Sequence, residues 1–162
     1  MKKQEKTNVM RILEQKKIPY KSYEYLGTDA ISGVEVAKVL GEDVNQVFKT
    51  LVTVGATKTN YVFMIPVHKE LDLKKAAKAV GEKSIAMIKS KELLPLTGYI
   101  HGGCSPIGMK KQFRTVVHHT AVNFETILFI VEPLPISIGI CLLMNKEMSS
   151  AIRSDNTAKI SV

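Results

Sequence analysis

Two stretches, VFKTLVTV at 47–54 and YVFMIPV at 61–67, set the strongest limit on what this chain can fold into. Both are rich in β-branched and apolar residues, and the first carries a single charge, Lys49. Runs of this kind form largely buried strands. Only the segment Gly55 to Asn60 connects them. So short a connection favours an antiparallel pair, because parallel neighbours need a crossover of roughly a dozen residues or more. Two adjacent buried strands oblige the chain to build a sheet core and to cover it.

The covering elements can be read on either side. Residues 2–17 read as a helix with Thr7 as a cap, Val9, Ile12 and Leu13 on one face, and Lys16-Lys17 where positive charge suits the C-terminal dipole. Pro19 stops it, and Tyr20 to Tyr25 alternates as a short, partly exposed strand. Ser32 and Glu35 form an S-x-x-E capping box for a second helix, with Val36, Val39 and Leu40 as its buried stripe and Gly41 at its end. Asp72 caps a third, which turns Leu73, Ala76, Ala77 and Val80 inward and Lys74, Lys75 and Lys78 to water, with Gly81 past its end. Ser84 to Ile88 reads as a short strand, and Ser90 to Leu94 as one helical turn halted by Pro95. Thr97 to His101 leads into a glycine-rich loop, and Arg114 to Phe129 supplies two further strands.

At 162 residues the chain is most simply one domain with room for a hydrophobic core. Cys104 and Cys141 form no CxxC and no disulfide framework, and with the adjacent His118-His119 they give no zinc signature. This reads as a protein of the reducing cytoplasm, and residues 1–20 lack the apolar core of a signal peptide. Residues 127–144 hold one charge, Glu132, but Pro133, Pro135 and Gly139 interrupt them, which argues against a membrane span. A formal charge of +8 makes polyanions plausible partners without choosing among them. Aromatic residues are only 6% and Trp is absent, which argues against a wide base-stacking platform.

Gly102-Gly103-Cys104-Ser105-Pro106-Ile107-Gly108 is the stretch best suited to a site. Without a Cβ, Gly102 and Gly103 can take positive φ and let a ligand oxygen approach main-chain amides, although a tight turn has the same composition. Ser105 serves either a ligand or the turn. Cys104 is a small filler unless a base or a strong positive field activates it. Lys49 has two readings as well: an edge-strand lysine reaching for water, or a cation held against a pocket floor to pair with phosphate, ribose or carboxylate. In a strand, His118 and His119 would point to opposite faces and could not chelate one metal together, so both read as structural or surface residues.

Several segments in one order, KTNVMRILEQKKIPY, VFKTLV, LKKAAKAVGEK, TGYIHGGCSPIGMKK and the run Thr120 to Thr126, resemble the YbaK/EbsC family of aminoacyl-tRNA deacylases. The resemblance covers about residues 7–129. It implies a mixed α/β (α+β) domain with a curved mixed sheet or partial barrel flanked by helices, akin to the editing domain of bacterial prolyl-tRNA synthetases. It implies a trans-editing activity on Cys-tRNA(Pro), extending to Cys-tRNA(Cys), alongside prolyl-tRNA synthetase and with neither cofactor nor metal. The mechanism the resemblance implies is a lyase-type step in which the substrate's own thiolate attacks its ester and expels the tRNA as a cyclic thioester forms. Lys49, Gly102 and Gly103 match the catalytic positions; Tyr20, Thr50, Ser105 and Pro106 match the substrate pocket.

Beyond Phe129 the family's glycine-rich, basic loop of the SxGKxG type is replaced by IVEPLPISIGICLLMNKEMSS, as a slip of reading frame would do. Residues 1–162 are thus expected to form one editing domain whose segment 130–162 is atypical. The resemblance also carries a second reading: a non-catalytic regulator affecting expression of a cell-surface receptor, with the same pocket holding a nucleotide or a tRNA end. DNA is not an expected partner, since the capped helices are not joined by a short turn.

Overall fold

The structure is a computed structural model that describes residues 6–24, 33–99, 104–131, 138–143 and 158–160. Its elements in chain order are α1 (Asn8–Gln15), β1 (Tyr20–Glu24), α2 (Gly33–Leu40), β2 (Val47–Gly55), β3 (Asn60–Pro66), α3 (Leu73–Val80), β4 (Ile85–Met87), α4 (Ser90–Thr97), β5 (Arg114–His118), β6 (Thr126–Val131), β7 (Ile138–Leu143) and β8 (Ala158–Ile160). Short 3-10 turns at Val44–Gln46 and His119–Asn123 lead into β2 and out of β5.

The two apolar runs form the expected antiparallel hairpin, with Phe48 opposite Pro66 and Val54 opposite Asn60. Around it the strands run β1-β7-β6-β2-β3-β5-β8, and β4 pairs with β2 outside that path. β6 on β2, β5 on β3 and β8 on β5 are parallel; the other pairs are antiparallel. The result is a mixed, unclosed sheet with helices packed on it.

Alternation along β2 and β3 sorts the core into two sides. On one, Phe48 and Met64 join Val117, Ile127 and Phe129 against Val9, Met10 and Leu13 of α1 and against Ile107. On the other, Tyr61, Phe63 and Val116 meet Ala76, Ala77 and Val80 of α3, while Val47 and Leu128 meet Ala37 of α2. Fully buried Phe48, Phe63 and Phe129 anchor these layers, each side chain contributing about 1.5–3 kcal/mol through removal from water.

The helix ends follow local chemistry. Thr7 Oγ1 accepts from Met10 N–H at 3.2 Å, and Asp72 Oδ1 accepts from Lys74 and Lys75 N–H at 3.1 and 3.0 Å. α1 stops at Gln15, two residues short of the expected end, because Lys17 turns left-handed (φ 56°) and Ile18 N–H closes back on Leu13 O at 2.9 Å. Ser32, the expected cap of α2, lies outside the described residues. Val39 is 49% exposed rather than buried, since Val36 and Ala37 form the inward stripe. Pro95 does not halt α4 but sits inside it. Its missing N–H falls in the last turn, which Thr97 Oγ1 on Leu93 O (2.7 Å) and Gly98 N–H on Leu94 O (2.9 Å) close instead. No helix among the described residues is long and apolar enough to cross a membrane.

Candidate active site

β3 accompanies β2 from Phe48 to Val54, but the neighbours on the other side of β2 leave a gap. β6 pairs with Val47 and Phe48, and β4 with Thr53 to Gly55. Among the described residues, Lys49, Thr50 and Leu51 have no strand partner on that side. Gly55 N–H donates to Thr59 O at 2.8 Å and Val67 N–H to Val47 O at 2.9 Å, so odd-numbered residues of β2 turn their amides to β3. Thr50 therefore turns its N–H and C=O to the gap. Its Oγ1 is buried with no hydrogen-bond partner among the described residues, a condition that Arg114 Nε shares. An orphaned polar group of this kind costs about 1–3 kcal/mol, which makes its position a place to look for a ligand.

Lys49 leaves β2 on the face opposite Thr50. It is half-buried on a strand that lies inside the sheet, at the point where, among the described residues, the gap leaves that strand unpaired on one side. Burial holds its amine below the usual lysine value, with the Glu70 carboxylate acting in the other direction.

The glycine-rich loop, as far as it is described, crosses the Thr50 face. Cys104 clusters with Val52 and Val62, and Ile107 with Phe48 and Met64, so residues on both sides of Thr50 contribute to the packing of this loop. Ser105 is fully buried and its Oγ accepts from Ile107 N–H at 3.1 Å, which closes the turn. Pro106 is buried beside it. Tyr99, which sequence reasoning missed, donates its hydroxyl to Ile107 O at 2.6 Å. Gly108 has φ 78°, and a Cβ there would come within 2.8 Å of Asn8 Nδ2 and 3.1 Å of the Tyr99 hydroxyl, so the loop closes tightly on α1. Gly102 and Gly103, the expected amide donors, and His101 lie outside the described residues.

Tyr20 packs beside the cluster that holds Phe48 and Ile107, and its hydroxyl donates to Glu14 Oε1 at 2.9 Å. Glu14 also pairs with Lys6 at 2.7 Å. Burial, and then Glu14, raise the Tyr20 hydroxyl above its ordinary pKa. No composition signal marked this tie between α1 and β1. Burial pushes the Cys104 thiol up to about 12, which fits a filler and leaves no thiolate at neutral pH. His118 is buried, with Nδ1 2.8 Å from Thr120 Oγ1. The strand ends there, and the following turn brings the His119 ring centroid to 4.5 Å instead of sending it to the opposite face. Among the described residues no group of three His, Cys, Asp or Glu side chains gathers to hold a metal.

Thr50 and the segment 104–107 thus share one face of β2, and Lys49 leaves on the other. Among the described residues the arrangement offers hydrogen bonds and a cation, while Ser105 Oγ is engaged in the turn and burial keeps the Cys104 thiol protonated at neutral pH.

Residues 29–132 match the model of the aminoacyl-tRNA editing domain. Over 128 residues, 78% of this chain and 78% of the relative, the sequence is 51% identical to EbsC of Enterococcus faecalis (strain ATCC 700802 / V583), described as a candidate Cys-tRNA(Pro)/Cys-tRNA(Cys) deacylase. Among solved structures, a candidate trans-editing enzyme for prolyl-tRNA synthetase superposes with a TM-score of 0.75 at 21% identity, covering 98% of this chain and 99% of that one. A hypothetical protein superposes with a TM-score of 0.80 at 18% identity, covering 96% and 100%. At such identities the two structures speak for the fold, and they share its mixed sheet flanked by helices.

Proposed function

Because the chain belongs to the family of aminoacyl-tRNA editing domains, we propose that it is a deacylase releasing cysteine from Cys-tRNA(Pro), with Cys-tRNA(Cys) as a second substrate. It acts in trans beside prolyl-tRNA synthetase in the cytoplasm, with residues 1–162 as one editing domain. The observation that carries this reading is the 51% identity, over 128 residues, to a relative described by that activity. The gap beside Thr50 supports it, since it offers unpaired polar groups where an ester could be held.

The substrate supplies the nucleophile. Its thiolate sulfur attacks its own ester carbonyl carbon, and the carbon–oxygen bond to the terminal ribose breaks. The ribose oxygen leaves with a proton, and the four-membered cyclic thioester that forms is opened by water to free cysteine. The protein's part is orientation and charge stabilisation. Lys49 pairs with phosphate or ribose oxygens of the terminal nucleotide. Amides around Gly102 and Gly103 receive the negative charge that develops on the carbonyl oxygen. Thr50 and Tyr20 line the pocket, and Ser105 and Pro106 shape its wall. An aminoacyl group without a thiol binds but does not cyclise, so selection is chemical as well as steric.

Release of free tRNA(Pro) from its cysteinyl, alanyl and prolyl esters tests this. Rapid release from the cysteinyl ester alone is expected. Binding of charged tRNA without turnover would instead favour the regulatory reading.

A further inference from the structure

A second cavity lies on the outer side of the same loop. It measures about 420 Å³ and opens between the C-terminal half of α1 and the segment following Ser105, with Gln15, Lys16, Gly108, Lys111, Gln112 and Thr115 among its walls. We propose that this cleft receives a backbone phosphate of the tRNA whose 3′ end occupies the gap beside Thr50, an inference that rests on the editing function proposed above.

Its lining supports an anion of this kind. Among the described residues, two lysines and two carboxamides line it, and no carboxylate does. The neighbouring Glu14 carboxylate is taken up by Lys6 at 2.7 Å and the Tyr20 hydroxyl at 2.9 Å. Thr115 Oγ1 is spent on Phe113 O at 3.2 Å, which leaves Lys111 and the carboxamides as groups that can meet a ligand. Consecutive lysines are sorted by the fold. Lys110 donates its backbone N–H to Thr97 O at 3.0 Å and lies along Gly98, where an added Cβ would stand 3.3 Å from its Cγ. Lys111 faces the cleft.

Position strengthens the case. Pro106 and Gly108 form part of the cleft wall, while Cys104 and Ile107 of the same segment pack into the core clusters on the Thr50 face. One thickness of loop therefore separates the ester site from the cleft. A polynucleotide that reaches the gap from the Thr50 face, with its terminal ribose toward Lys49, passes this loop and brings its next phosphates within reach of the cleft. Contacts of this type position a nucleic acid without reading its sequence, and they weaken as salt rises.

The test compares steady-state hydrolysis of full-length Cys-tRNA(Pro) with that of the cysteinyl ester of adenosine, which has no phosphate. Lys111→Ala should raise KM for the tRNA about fivefold to tenfold with kcat unchanged. It should also lower the slope of log KM against log salt by roughly one, and leave the adenosine ester unaffected. Lys78→Ala, exposed on α3 across the sheet, should change neither substrate. Equal effects on both substrates, no effect on either, or an equal effect of Lys78→Ala would each overturn the proposal. Should the wild-type protein hydrolyse neither ester, the deacylase reading fails separately. The cleft is then tested by binding of uncharged tRNA(Pro), which Lys111→Ala should weaken by the same factor; unchanged binding would overturn it.

Discussion

Thr50 carries an energetic penalty, because its buried hydroxyl has no partner among the described residues. Thr50→Val keeps the shape and removes that group. The variant should melt higher, by about 1 kcal/mol of stability, while its deacylation rate falls. Thermal denaturation beside a deacylation assay checks both, and lower stability in Thr50→Val would show that the hydroxyl has a structural partner. Lys49 follows similar logic, since burial disfavours its charged form. Lys49→Met should lose most hydrolysis of Cys-tRNA(Pro) and melt no lower than wild type at pH 7. Cys104 supplies a pH test. A thiol lifted from 9.0 to about 12 holds roughly a thousandth of the thiolate of an ordinary cysteine well below pH 9. Iodoacetamide at pH 8, followed by peptide mapping, should modify Cys104 about a thousandfold more slowly in folded than in unfolded protein. Lys49 was legible in the sequence as one charge in an apolar run. Thr50's lack of a partner was not, because it depends on where β6 and β4 leave β2, and those strands come from distant segments.

At the scale of elements, the β2–β3 hairpin is held by a residue from beyond α3. Glu82 accepts from the Thr57 N–H and hydroxyl and, at 2.8 Å, from the Tyr61 hydroxyl. A Cβ at Gly55 would overlap its carboxylate, so Glu82 packs directly over the strand end. The Thr57 hydroxyl first, and then Tyr61, hold the Glu82 carboxyl below its usual 4.5. A depressed folded value means that stability from this group is present above about pH 4.5 and is lost as pH falls through the folded value. Glu82→Gln should therefore lie below wild type in melting temperature at pH 7, with the gap closing at acid pH; a constant gap would assign its effect to packing alone. Caps such as Thr7 and Asp72 and the hairpin were readable because their signals are local. The extent of α4 was misread because Pro95 is tolerated in a last turn closed by Thr97 and Gly98. The parallel pairing of β5 on β3 had no local signal at all.

On the scale of the whole molecule, the site exists because an unclosed sheet mixes parallel and antiparallel neighbours around one hairpin. β7, drawn from the apolar stretch at 127–144, pairs with both β1 and β6 and so joins the strand of Tyr20 to the rest of the sheet. The +8 charge fits a polyanionic substrate, and the cleft at Lys111 gives that general attraction a place. Under the proposed function, these levels meet in a protein that holds an ester while the substrate's own sulfur attacks it. Single-turnover hydrolysis of Cys-tRNA(Pro), measured beside its S-methylcysteinyl counterpart, tests that claim most directly. The cysteinyl ester should be cleared far faster than in buffer and the S-methyl ester should stay at the buffer rate. Equal clearance of both would contradict it.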